Sequence, residues 1–255
     1  MNEHQSPATD STAPLVEEIL AEAHQRMAAT AQPREELSPG QRRALLRMNR
    51  LVFWLSKHWL ALFNTLAGLY IGGAFLAPVL MYTGHPESAA ALYHFYGPFC
   101  HQYPSRSWFL FGARLDYPGD MLPESLRELS SFVGDATWGY KLALCQRCTA
   151  TYVLILLAGL LYGVLRRRRQ IPLLPPWVYL VFGLLPMALD GGYQWITHVI
   201  GWLWLHQAVL YESPPLLRAI TGGLFGLTTV SFAYPYLNEF FEETKTLLTS
   251  RYHWV

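Results

Sequence analysis

Four stretches of this chain, residues 59–82, 149–165, 171–189 and 219–238, carry no Asp, Glu, Lys or Arg. About 20 apolar residues in a helix cross a hydrocarbon core roughly 30 Å thick, so each stretch is near or above the length needed to span a bilayer. A soluble reading would have to bury all four in one core, which a chain of 255 residues can hardly do. In lipid the backbone must satisfy its own hydrogen bonds, and helices do this within each segment. The chain is 52% hydrophobic and 15% charged, against roughly 25% charged in an ordinary soluble domain. These features predict an all-α fold, a polytopic membrane helical bundle of about four transmembrane helices with short interfacial helices beside them.

Basic residues set the expected orientation, because cytoplasmic flanks retain Lys and Arg. Arg42, Arg43, Arg47, Arg50 and Lys57 precede the first stretch, and Arg166, Arg167, Arg168 and Arg169 follow the second. Both flanks are therefore placed inside, and four crossings return the C-terminus to the same side. The expected organisation is a disordered cytoplasmic tail over residues 1–40, a basic amphipathic juxtamembrane helix over 41–58, a transmembrane domain over 59–240 with external loops at 83–148 and 190–218, and a cytoplasmic C-terminal tail over 241–255. The expected location is the cell's inner (plasma) membrane.

Pro7, Pro14, Pro33 and Pro39 punctuate the polar N-terminal tail, a composition that favours disorder and does not read as a cleavable signal peptide. A fifth uncharged stretch, residues 191–211, carries Gln194, His198, His206 and Gln207 among Trp195, Trp202 and Trp204. That mixture belongs at a membrane interface, so an interfacial or re-entrant course is expected in place of a crossing. The polar segment 113–141 reads as a solvated external loop, with one short helix marked by Pro123-Glu124-Ser125 ahead of Leu126 and Leu129.

All three cysteines fall in two short clusters at the ends of apolar stretches. One is Cys100-His101-Gln102 with Ser105-Arg106-Ser107; the other is Cys145-Gln146-Arg147-Cys148. The expected topology puts both outside, beside Asp190, Gln194, Glu212 and Arg218, which predicts one composite polar site at the extracytoplasmic helix ends. Thiols and guanidinium groups at a membrane surface are costly unless paired, so their grouping points to a site.

The ordered blocks Cys100-His101-Gln102-x-Pro104-x-Arg106-Ser107, then Cys145-x-Arg147-Cys148-Thr149, then Pro186 with Asp190-Gly191, Gln194, Glu212-Ser213, Arg218 and Thr221-Gly222 resemble the DUF2085 family of uncharacterised bacterial and archaeal membrane proteins. The resemblance covers about residues 93–226 and implies a multi-pass membrane protein without an established activity. Ala150 stands where that family commonly has Gly, and the segments 113–141 and 196–211 are longer than its usual loops.

Several chemistries suit these residues. Cys145 and Cys148, spaced to share one face at a helix start, present two sulfurs to one point, and Cys100 with His101 completes a candidate Cys₃His tetrahedron for which Zn²⁺ is the leading metal. Successive side chains diverge from a regular backbone, so His94, His198, His206 and Asp190 are alternative fourth ligands. The same Cys-x-x-Cys spacing serves thiol-disulfide exchange, with Arg147 favouring the thiolate. A structural disulfide, or packing of small thiols, is the ordinary alternative.

Arg106, Ser107, Arg147 and Arg218 are candidate anion or lipid head-group ligands, since guanidinium pairs bidentately with phosphate. Their ordinary alternative is pairing with Asp190 and Glu212. Asp190, Glu212 and Arg147 are the catalytic candidates, should the protein prove to be an enzyme. Asp190, taken as the end of the third stretch before Gly191-Gly192, serves either as a base or as an ion-pair partner of Arg147 or Arg218; Glu212 is expected to cap the fourth helix. The spacings Gly68-x-x-x-Gly72 and Gly222-x-x-x-Gly226 permit close helix contact within one chain or between copies.

Three function classes follow: a metal-binding membrane protein acting on a lipid or quinone-like ligand, a membrane thiol-disulfide oxidoreductase, and a non-catalytic accessory subunit of a membrane protein partner. The lipid bilayer is the environment all three share. Nucleic acid is not an expected partner, because the net charge is only +1 and topology accounts for the Arg clusters. The chain also shows no phosphate-cradling Gly loop, nucleophile elbow, dinucleotide fingerprint or haem-attachment motif.

Overall fold

A computed structural model describes residues 38–118, 121–201, 203 and 211–254 together with positions 18, 21, 22 and 25, the side chain of residue 198 excepted. Of the tail expected to be disordered over residues 1–40, positions 18, 21, 22 and 25 are helical and residues 39 and 40 open a helix. The rest of residues 1–37, the interfacial course expected around Trp202 and Trp204, and the alternative ligand side chains His198 and His206 lie outside the described residues.

Helix α1 spans Pro39–Tyr82. It opens on a capping box in which Ser38 Oγ accepts from the Gln41 amide at 3.3 Å and Gln41 Oε1 accepts from the Ser38 amide at 2.9 Å. Pro39 follows, at a position where no amide is required. Gly84, at φ +80°, turns the chain out of α1 and into α2 (Pro86–Tyr96). A 3₁₀ turn at Pro104–Arg106 leads to strand β1 (Ser107–Leu110), short helix α3 (Glu124–Arg127), strand β2 (Gly134–Asp135) and strand β3 (Gly139–Cys145). β3 runs directly into α4 (Gln146–Leu165). After it come α5 (Pro176–Tyr179), a π-helical turn at Leu180–Leu184, α6 (Leu185–Ile200) and α7 (Pro215–Tyr252).

Among the described residues three helices, α1, α4 and α7, are long and apolar enough to cross a membrane. Large apolar side chains are exposed along them, among them Leu66, Leu69 and Phe75 on α1, Leu157, Leu160 and Leu161 on α4, and Ile220, Leu224 and Leu227 on α7. Acyl chains suit such a surface and water does not. The stretch 171–189 is helical only from Pro176, and its helical course is broken into three contiguous pieces by the π turn. Pro186 accounts for this, since it has no amide to donate and its ring crowds the carbonyl four residues back, within the widened turn.

Two expectations are corrected here. The helical course does not stop at Asp190; α6 carries Asp190, Gly191 and Gly192 in its interior and continues to Ile200. The segment 113–141 is also more than a solvated loop, and the fold is not purely helical. β1, β3 and β2 form a three-stranded antiparallel sheet in that order, with Ser107 opposite Cys145 and Leu110 opposite Tyr140. Phe109, Tyr117 and Leu122 are buried beneath it with Phe132 and Trp138 against them. The segment carries many charged and hydroxyl side chains, but Tyr117, Phe132 and Trp138 gather with Phe109 and Leu122 into a core of their own. The expected short helix is present as α3.

Two further clusters organise the helices. Trp59, Leu60, Ala158, Tyr162, Val230 and Tyr234 join α1, α4 and α7, where Arg166 also donates to Asn238 at 2.9 Å. Toward the other end of α4, Ile71, Ala74 and Ala77 of α1 pack with Tyr93 and Tyr96 of α2, Cys100, and Ala143 and Leu144 of β3. The helix α4–α7 contact is backbone to backbone: a Cβ at Gly222 would stand 2.3 Å from the Arg147 carbonyl oxygen, and one at Gly226 2.3 Å from that of Thr151. The Gly222-x-x-x-Gly226 notch is thus filled by α4 of the same chain, and Thr151 Oγ1 seals it with a bond to the Gly222 carbonyl at 3.0 Å.

Candidate metal centre and its polar network

The sheet and α2 bring the two cysteine clusters together. Cys145 ends β3 and is the N-cap residue of α4, which places Cys148 in the helix's first turn. Cys100 reaches them from the connection after α2, where its amide bonds the Tyr96 carbonyl at 3.0 Å. The next turn is held open by Gln102, whose φ of +56° is unusual for a side chain of its size. Its side-chain amide donates to the Tyr93 carbonyl at 2.7 Å, and its own carbonyl accepts from Lys141 Nζ at 2.6 Å. Those bonds hold Cys100 over the β3–α4 junction, where its sulfur accepts from the Cys145 amide at 3.2 Å.

The outcome is three sulfurs, from Cys100, Cys145 and Cys148, all within 4.8 Å of one another and none in a disulfide. Cys100 is buried and the other two are half-buried. His101, the fourth expected ligand, is not in this group; it is exposed, with its ring 5.5 Å from that of Tyr103. The backbone divergence between neighbours explains the separation, for with Cys100 inside His101 turns out. His94 is exposed and Asp190 is engaged elsewhere, so neither joins the sulfurs.

Behind the cysteines lies a second layer of paired charges. Arg147 donates to Asp190 Oδ2 at 2.5 Å, and Ser213 and Thr221 donate to the same carboxylate at 2.5 and 2.9 Å. Arg106 donates to Glu212 at 2.9 Å, Ser105 donates to it at 3.0 Å, and Arg218 pairs with it at 3.1 Å. Arg218 also donates to the side chain of the fully buried Gln146 at 3.2 Å, and Gln146 donates to the Ser107 carbonyl at 3.3 Å. Glu212 therefore serves as the centre of an arginine pair, and α7 starts without a side-chain cap. Ser107, an expected anion ligand, is wholly buried and donates to the Tyr103 carbonyl at 2.9 Å.

All three cysteines line a cavity of about 270 Å³ together with Arg106, Arg147, Gln194 and Arg218. Of the residues expected at the composite site, the three cysteines, His101, Arg106, Arg147, Gln194 and Arg218 line this cavity, and Asp190 and Glu212 pair with its arginines.

Residues 136–232 match the family model described as "Predicted membrane protein (DUF2085)". The resemblance to DUF2085 holds. An uncharacterised protein of Methanocaldococcus jannaschii is 29% identical over 186 residues, covering 71% of this chain and 93% of the relative. No solved structure matches the chain. The DUF2085 stretch contains Cys145, Arg147, Cys148, Asp190, Gln194, Glu212, Arg218 and Thr221, whereas Cys100, His101 and Arg106 precede it. The third sulfur thus comes from outside the DUF2085 match, folded onto it by α2 and the sheet.

Electrostatics distinguishes the thiols, of which Cys145 and Cys148 lie within the matched stretch and Cys100 before it. Cys145 is held well below the ordinary thiol range, first by the hydrogen bond from Cys100, then by Cys148, with the Arg147 charge adding to both. Cys100, as the donor of that bond, is pushed up to about 11. Burial alone would raise Glu212, but the charge of Arg218 and then Arg106 bring it below the usual carboxylate value. Lys141 is the residue that sequence reasoning missed. It is fully buried in β3, and burial lowers it to about 7 against the opposing charge of Cys100. Its signal was a lone ammonium within the apolar run Tyr140-Lys141-Leu142-Ala143-Leu144, a placement that demands partners. It finds them in the Gln102 and Ser130 carbonyls at 2.6 and 2.8 Å.

Proposed function

We propose that this chain is a four-span plasma-membrane protein, with both termini cytoplasmic, that holds a zinc ion through Cys100, Cys145 and Cys148 at the extracytoplasmic ends of its helices. One observation carries the reading: three sulfurs from two separate segments within 4.8 Å and unlinked by a disulfide. Tetrahedral zinc with bonds of about 2.3 Å to thiolate sets sulfurs roughly 3.8 Å apart, a spacing this cluster reaches with little movement. The helical course from Pro176 to Ile200 supports a fourth crossing, and the Arg166–Arg169 run supports an inside position for the far end of α4.

Three protein sulfurs beside a cavity leave a fourth position for an incoming ligand or for His101 after a turn of its ring. Zinc there would supply Lewis acidity, as in sites that keep one open position. Cys145, whose thiol is held well below the ordinary range, is the ligand most readily deprotonated for the metal. Asp190 and Glu212 act on this reading as counter-charges that fix the arginines, because each already accepts from several donors.

The second reading is thiol-disulfide exchange, which the depressed Cys145 thiol favours. Metal analysis by mass spectrometry on detergent-purified protein separates the two. About one zinc per chain, lost in the Cys145→Ser/Cys148→Ser variant, supports the metal site. Wild-type protein that retains no zinc when purified with zinc present overturns it, and the oxidation state of Cys145 and Cys148 then tests the exchange reading.

A further inference from the structure

The cavity beside the cysteines is lined by Arg106, Arg147 and Arg218 and by no carboxylate. Asp190 and Glu212 hold those arginines from behind, so the faces turned to the cavity are cationic. Hydrogen-bond bookkeeping is incomplete at the same place. Arg218 is 2% exposed and Gln194 4% exposed, yet Arg147 Nε, Arg218 Nε and Gln194 Nε2 have no hydrogen-bond partner among the described residues. One orphaned buried donor is uncommon, and three from three different helices around one cavity ask for an acceptor that the described residues do not provide.

We propose that this cavity binds a phosphate-class oxyanion, held by Arg147, Arg218 and Gln194 with the more exposed Arg106 beside them. Forked guanidinium groups match the tetrahedral oxygens of phosphate better than they match any neutral acceptor. Three arginines face two close carboxylates, with Glu128 reaching Arg106 at 4.0 Å and the Cys145 thiol on the same cavity, so it is the unpaired guanidinium and amide donors, and not an excess of positive charge, that call for the anion. Phe99, Tyr103 and Met187 make up much of the remaining wall, an apolar complement suited to the organic part of a phosphoester. The oxyanion is either a solute or a lipid head group, and both present the same oxygens. None of the three thiols is used, so the inference stands apart from the metal reading.

The test uses metal-stripped, full-length protein in a maltoside detergent that carries no phosphate. One arm titrates inorganic phosphate by calorimetry, and the other follows retention of phosphatidylglycerol by native mass spectrometry. We expect saturable binding of one phosphate-bearing molecule per chain in at least one arm, weakened about tenfold in Gln194→Leu, which removes a donor without changing charge, and in Arg218→Lys. Binding of phosphate alone assigns a soluble ligand; retained lipid that phosphate displaces assigns the head group. No binding in either arm, or wild-type binding by both variants at an unchanged thermal midpoint, overturns the proposal, because the orphaned donors would then be met by water.

Discussion

Arg147, one of the two residues between Cys145 and Cys148, donates to Asp190 of α6 at 2.5 Å. The same side chain therefore lowers the Cys145 thiol and ties the cysteine-bearing helix to its neighbour. Its partner has no comparable freedom, because Asp190 also accepts from Ser213 and Thr221 on the approach to and within α7. Three segments converge on one carboxylate with a side chain only 5% exposed.

Breaking such a pair leaves a charge in a dry site. Asp190→Ala is expected to destabilise the protein by about 3 kcal/mol, in keeping with removal of one partner of a buried ion pair. Arg147→Met in the same background should add less than it does alone, by about 1 kcal/mol or more, since the two changes remove one shared interaction. A thermal-unfolding double-mutant cycle in detergent reads this directly, and strict additivity would show that the pair is not coupled.

The sequence made the apolar helices and the grouping of polar residues legible because both depend on local composition. Uncharged runs define α1, α4 and α7, and the rarity of Cys and Arg near a membrane surface singled out Cys100, Cys145, Cys148 and Arg147. What stayed hidden was long-range. The β1–β3 pairing depends on Ser107 meeting Cys145, and no local pattern announces it. Pro186 in the third apolar run was visible, but the continuation of α6 past Gly191-Gly192 goes with contacts to α7 that are distant in sequence, such as the bond from Thr221 to Asp190 at 2.9 Å. Lys141 was overlooked because a single charge in a short strand carries no period.

The split among the thiols predicts an order of reaction. In metal-free protein, iodoacetamide should modify Cys145 first and keep doing so below the ordinary thiol range, while Cys100, raised to about 11, should react slowly until the pH is strongly alkaline. Added zinc should protect all three together. Peptide mapping after timed alkylation checks both points, and equal rates at Cys100 and Cys145 without zinc would contradict the assigned thiolate.

Lys141 predicts a pH dependence of definite sign. The unfolded side chain keeps its proton up to about 10.5, whereas burial lowers the folded value to about 7. Between those values the unfolded chain binds more protons, so stability contributed by this residue is complete above the upper value and is lost as pH falls toward the lower one. The neutral amine still has two N–H donors for the Gln102 and Ser130 carbonyls. Wild-type stability measured against Lys141→Met should therefore rise with pH across this window, by no more than about 1.4 kcal/mol per unit. A difference that is flat with pH would mean that the amine is solvated or stays charged.

The close approach of α7 to α4 gives a steric prediction with an internal control. A methyl at Gly222 would stand 2.3 Å from the Arg147 carbonyl oxygen and 3.0 Å from Thr151 Oγ1, and the nearest obstacle is backbone that cannot rotate away. At the adjacent Gly223 the nearest atom is a Leu154 side-chain carbon at 3.7 Å, an ordinary contact. Gly222→Ala should thus push the first turn of α4 outward, displacing Cys145 and Cys148 from Cys100, and cost about 1–3 kcal/mol as overpacking. Gly223→Ala should be neutral, or favourable by up to about 1 kcal/mol from helix propensity alone. Thermal midpoints rank the two variants, and zinc content reports whether the lost stability is felt at the cysteines. If Gly222→Ala retained wild-type stability and zinc, the helix contact would be looser than these distances require, and the metal centre would not depend on it.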